Sequence, residues 1–138
     1  MTDFLIPVRI YYEDTDSGGV VYYANYLRFL ERARTEWLRT LGIEQDQVRA
    51  KFGVLFAVRS LAIDYHRPAR FNDLLEVSVR VVKARPASLE FEQSITCQVD
   101  QQRDKQLLAS ARVKVACLDA VLFKPKPIPD EMWKEIQA

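Results

Sequence analysis

From about Val21 to Leu41 the apolar residues Tyr26, Leu30, Ala33, Trp37 and Leu41 fall at helical spacing, and Gly42 follows as a stop. Nearly everywhere else apolar residues alternate with polar ones. Val8, Ile10 and Tyr12 alternate with Arg9, Tyr11 and Glu13; Leu75, Val77, Val79 and Val81 alternate with Glu76, Ser78 and Arg80. Leu55 to His66, Leu89 to Val99 and Leu107 to Cys117 complete five strand-like runs. A short second helix from Glu44 to Phe52, closed by Gly53, and a terminal helix near Asp130 to Ile136 flank them. One strand, one long helix and then four strands with short links over Arg67 to Asp73, Ala84 to Ala87 and Asp100 to Lys105 give an α+β class with an antiparallel sheet. The packing solution is a sheet curled around the helix. An open sheet has two edges, so pairing with a second copy is expected.

The chain has 138 residues, the length of one domain, and no internal linker divides residues 1–138. Twenty Lys and Arg against 19 Asp and Glu leave a net charge of +1, which removes the broad attraction to a polyanion and argues against nucleic acid as partner. The start MTDFLIPVRI lacks a basic stretch followed by an apolar run, and nowhere do roughly 18 apolar residues stand together, so no transmembrane segment and a cytoplasmic location are expected. Cys97 and Cys117 sit in strand-like patterns and read as buried thiols rather than a disulfide. With one His, the chain lacks the close-spaced ligand pairs that zinc requires.

The chemistry concentrates in Asp14-Thr15-Asp16-Ser17-Gly18-Gly19 and the helix start that follows. Gly19 to Tyr23 offers no Ser, Thr, Asp or Asn to cap the first free N–H groups. An uncapped helix N-terminus attracts an anion, or a carbonyl oxygen becoming one. Asp14 and Asp16 lie just upstream in a glycine-flanked loop, so a carboxylate nucleophile or base can stand beside an oxyanion site. The plain alternative is that Asp16 or Ser17 caps the helix and Asp14 forms a turn.

The run from Tyr11 to Tyr26, continued by Glu31-Arg32-Ala33-Arg34, resembles the signature of hotdog-fold acyl-CoA thioesterases. It is most similar to the YbgC group, the Tol–Pal-associated thioesterases of the 4-hydroxybenzoyl-CoA thioesterase family. Asp64-Tyr65-His66-Arg67-Pro68-Ala69-Arg70 resembles that family's sheet segment, and length and element order agree over nearly the whole chain. The resemblance implies a five-stranded hotdog fold, a catalytic role for Asp16 rather than Asp14, and an oxyanion contact from the backbone N–H of Tyr23. Many relatives carry histidine where Tyr23 stands, so no side-chain role transfers to that position.

His66 matches no catalytic position and reads as a strand-end residue. Arg59, Arg67, Arg70, Lys83 and Arg85 are candidates for coenzyme A phosphates. The resemblance favours Lys83 to Ser88, from which Arg85 and Ser88 are put forward as substrate-binding residues. Tyr26, Phe29 and Trp37 read as helix core or dimer packing. The expectation is therefore a homodimeric or homotetrameric enzyme that hydrolyses acyl-CoA, or acyl-carrier-protein thioesters, with no metal or redox cofactor implied. The competing class is a non-catalytic module that binds an acyl thioester or acyl-carrier protein for a larger assembly.

Overall fold

The computed structural model describes residues 3–98 and 105–137. In chain order it contains β1 (Phe4–Arg9), α1 (Asn25–Thr40), α2 (Gln45–Phe52), β2 (Val54–Tyr65), β3 (Leu74–Arg85), β4 (Ser88–Gln98), β5 (Lys105–Asp119) and α3 (Asp130–Gln137). The strands form one antiparallel sheet in the order β1-β3-β4-β5-β2. The α+β class and the pairing of one long helix with five strands are as expected. The link expected over Asp100 to Lys105 lies outside the described residues, apart from Lys105 at the start of β5.

Alternation builds the core. In β4, Leu89, Phe91, Gln93, Ile95 and Cys97 are buried, while the residues between them are partly open. Against this face α1 lays Tyr26, Phe29, Leu30, Ala33, Arg34 and Leu38, and the Trp37 ring meets Phe91 edge-on at 5.5 Å between centroids. The other face of the sheet carries ion pairs, with Arg80 on Glu92 and Arg112 on Glu90 and Glu92. Both cysteines are free and buried. Burial pushes the Cys117 thiol up to about 11.

Two local expectations change. The helix begins at Asn25 rather than Val21, because Val21 is already engaged: its N–H donates to the Ala69 carbonyl at 2.9 Å, and it bridges Thr15. The first strand ends at Arg9, and Tyr12 is 77% exposed in a 3-10 turn over Tyr12–Asp14, where its ring packs on Phe71. Glu36 pairs with Arg39, and the Arg32 guanidinium lies 5.7 Å from the centre of the Phe29 ring.

The two sheet edges differ in chemistry. β1 is six residues long and contains Pro7, which lacks a backbone donor. β2 has twelve residues and no proline, and from Val58 to Tyr65 most of its side chains are open, with Val58 at 51% and Tyr65 at 44%.

Candidate active site

Between β1 and α1 the chain folds back on itself. Thr15 and Val21 form an antiparallel bridge, the Asp16 N–H donates to Val20 O at 2.9 Å, and Gly19 N–H donates to Asp16 O at 3.1 Å. Gly19 closes this turn at φ +80°, a conformation that a side chain would strain. A second bridge, Val20 to Arg70, ties the turn to the segment before β3.

Asp14 and Asp16 are separated by this fold into different roles. Asp14 is consumed: its Oδ2 accepts the Tyr11 N–H at 2.8 Å, and its carbonyl accepts the Tyr22 N–H and the Asn25 side-chain amide. Asp16 is exposed, and its Oδ1 accepts the Gly18 N–H at 2.8 Å. Its second oxygen accepts no hydrogen bond among the described residues. Neither Asp16 nor Ser17 caps α1.

The helix start is open. The residue at the cap position is Ala24, without a side-chain hydrogen bond. Among the described residues the N–H groups of Tyr23 and Ala24 donate to nothing. The surrounding backbone is nevertheless pinned: Tyr22 O accepts the Asn25 N–H at 2.8 Å, and Tyr23 O accepts the Tyr65 hydroxyl at 3.0 Å. Because a trans peptide points its N–H opposite its carbonyl, these two bonds aim the N–H groups of Tyr23 and Ala24 away from their acceptors. Tyr26, buried in the first turn, accepts the Ala69 N–H on its hydroxyl, and burial raises its phenol above the usual range. The arrangement offers oriented, unspent donors and a carboxylate on one hairpin-like segment, which are the components of acyl transfer.

Arg85 and Ser88 are not part of this junction. They pair at the β3–β4 turn, and with Arg59, Lys83, Glu90 and Lys114 they line a cavity of about 80 Å³. Among the described residues none of its four cations forms an ion pair. The junction abuts Arg70, before β3 begins, whereas Arg85 ends β3, so roughly 35 Å of strand separates them. Arg67 and Arg70 stand at the junction end, away from the cluster. His66 Nε2 meets Ser110 Oγ at 3.0 Å on the sheet. Three larger clefts, about 530 Å³ between β1 and α1, about 480 Å³ along β2 beside Arg59 and Ser88, and about 450 Å³ between α2 and α3, are lined by neither Asp16 nor Tyr23. Sequence reasoning missed Tyr65 and Lys114. Each is one more residue in a strand pattern until the sheet is assembled.

Residues 11–136 match the model of the thioesterase-like superfamily. Acyl-CoA thioesterase YbgC of Haemophilus influenzae is 46% identical over 129 residues, covering 94% of this chain and 90% of the relative. Acyl-CoA thioester hydrolase YbgC of Escherichia coli O6:H1 is 42% identical over 136 residues, covering 99% and 97%. Among solved structures, a mutant 4-hydroxybenzoyl-CoA thioesterase complexed with 4-hydroxybenzoyl-CoA superposes with a TM-score of 0.88 over 96% of each chain at 20% identity, a likeness of fold alone. The hotdog sheet-and-helix arrangement, the matched superfamily model and the near-full-length identity together place this chain in the YbgC acyl-CoA thioesterase family.

Proposed function

We propose that the protein hydrolyses acyl-CoA thioesters to a free acid and coenzyme A, with the acyl carbonyl oxygen docked on the Tyr23 N–H and Asp16 acting on the carbonyl carbon. The observation that carries this is the uncapped start of α1, whose oriented amides stand on the same folded segment as the half-free Asp16 carboxylate. The kinship with the YbgC enzymes supports the substrate class.

Two routes satisfy the geometry. In one, Asp16 takes a proton from water as its oxygen attacks the carbonyl, the C–S bond breaks, and the thiolate leaves to be protonated. In the other, a carboxylate oxygen of Asp16 attacks and expels the thiolate, and water then cleaves the resulting anhydride. In both, negative charge grows on the carbonyl oxygen, where one well-placed donor lowers the barrier by about 3 kcal/mol.

Arg59, Lys83, Arg85, Ser88 and Lys114 form the coenzyme A phosphate site in this reading, because four cations that form no ion pair among the described residues suit a polyanionic end group. In a single chain they stand too far from Tyr23 for one extended pantetheine arm. A homodimer removes the difficulty. Antiparallel pairing of β2 with its copy, about a two-fold axis near Leu61 and Ala62, covers the open edge and carries the partner's cation cluster toward Tyr65 and Tyr23. A cytoplasmic enzyme agrees with the two free, buried thiols and an intracellular thioester substrate; among the described residues no helix is long and apolar enough to cross a membrane.

The test is thiol release from a panel of acyl-CoA and acyl-carrier-protein thioesters, with sedimentation of the same sample. Turnover by a dimer or a larger even assembly is the expected result. Tight binding that protects the thioesters from cleavage would instead assign the chain to the non-catalytic class, and an active monomer would refute the shared site.

A further inference from the structure

Within a largely apolar interior the buried side chains of Arg34 on α1, Ser78 on β3 and Gln93 on β4 form one connected polar group. Gln93 is its centre. This residue is 1% exposed, and its Nε2 donates to Leu30 O at 3.1 Å and to Ser78 O at 3.2 Å, while its Oε1 accepts Arg34 Nη1 at 3.0 Å. The helix and two strands meet at this one amide. The β3–β4 pairing is interrupted to admit it: between the pairs Val77–Ile95 and Arg80–Glu92, the Ser94 N–H donates to the Ser78 hydroxyl at 2.9 Å, and Ser78 O takes Gln93.

Stability does not explain this group. Burial lowers the Arg34 guanidinium pKa from its ordinary value, and among the described residues no carboxylate forms an ion pair with it. Well-packed apolar residues would fill the same space at lower cost. What the group supplies is direction. Hydrophobic burial is non-directional, so Phe29, Leu30, Ala33 and Leu38 press α1 onto the sheet without fixing how far it slides along its axis. The Gln93 bond to Leu30 O fixes that height, one turn after the Tyr26 hydroxyl takes the Ala69 N–H on the same face of the helix. Asn25 begins α1 about 8 Å before Leu30, so a slide of the helix displaces the Tyr23 and Ala24 N–H groups with it.

We infer that Gln93 is a positioning residue for thioester cleavage, whose two amide hydrogens hold α1 at the height that aims the Tyr23 and Ala24 N–H groups at the acyl carbonyl. The inference rests on the thioesterase reading and adds to it a residue that touches no substrate.

The test measures kcat, KM and melting temperature on the shortest acyl-CoA that the wild type cleaves, for Arg34→Met, Gln93→Glu and an apolar double variant, Arg34→Met with Gln93→Leu. Arg34→Met keeps both Nε2 bonds and should hold kcat within about threefold of wild type, as expected when no transition-state interaction is lost. Gln93→Glu still accepts from Arg34 but has no amide hydrogens to give. It should lower kcat at least about tenfold with KM within about twofold, since misplacing reacting groups by about 1 Å can cost about a hundredfold. The double variant should melt at or above the wild-type temperature and show the same loss of kcat. A merely structural residue gives the reverse, a lower melting temperature and a native kcat. If Gln93→Glu does not fold, the apolar double variant still decides the matter. A folded Gln93 variant with native kcat overturns the positioning role and leaves thioester hydrolysis standing, whereas a wild type that cleaves no acyl-CoA overturns both.

Discussion

The hydroxyl of Tyr65, the last residue of β2, donates to the carbonyl oxygen of Tyr23 at 3.0 Å, joining the sheet edge to the start of α1 across 42 positions. That bond orients the peptide whose N–H belongs to Ala24, while the Tyr22 carbonyl bond to Asn25 orients the one that carries the Tyr23 N–H. The amide pair at the helix tip is thus preorganised by partners on its far side. Preorganised donors act in the transition state without reorganisation.

Tyr65→Phe removes one partner and keeps the ring, which packs against Tyr26 at 5.3 Å between centroids. A single net hydrogen bond contributes about 1 kcal/mol, so stability should fall by no more than that. Turnover should fall about three- to tenfold at nearly constant KM, the pattern of a lost transition-state interaction. Steady-state kinetics beside a thermal melt checks both.

Gly18 offers a finer probe. A Cβ built there would lie 3.2 Å from Asp16 Oδ1, and unlike Gly19 the residue has no positive φ to strain. Gly18→Ala should leave the melting temperature nearly unchanged and lower kcat by about tenfold, because a small displacement of a reacting group is costly in rate. An unchanged kcat would place the carboxylate outside the chemistry.

Arg85→Ala and Lys114→Ala test the cation cluster. Each should raise KM for acyl-CoA about three- to tenfold, less at high salt, as expected for a partly exposed charge-assisted contact to phosphate. The same variants should not affect cleavage of a truncated pantetheine thioester that lacks the nucleotide.

The alkaline limb of stability should carry the signature of Cys117. Its thiol is raised by burial from 9.0 to about 11, so the folded chain holds a proton that the unfolded chain releases above 9.0. The stabilisation is complete below the unfolded value and is lost as pH rises through the folded one. Denaturant melts between these limits should show a shallower decline in Cys117→Ala than in wild type.

The alternation in β3, β4 and β5 and the helical period from Tyr26 to Leu38 made the fold legible, because a buried face repeats at the period of its element. The ends were less legible. Val21 continues the apolar rhythm, yet its N–H belongs to Ala69, and only tertiary contact reveals that the helix must wait for Asn25. Asp16 and the uncapped start were visible because both depend on neighbours in sequence. Tyr65 and Lys114 were not visible as candidate site residues, since each acquires its neighbours across the sheet from a position with no local mark.

The most direct measurement is single-turnover thioester cleavage by Asp16→Asn, a change that keeps the acceptor for the Gly18 N–H while removing the charge. The account predicts intact folding, retained acyl-CoA binding and a rate at least about a hundredfold below wild type, the usual loss when a positioned base or nucleophile is removed. A folded Asp16→Asn protein that turns over at near the native rate would contradict it.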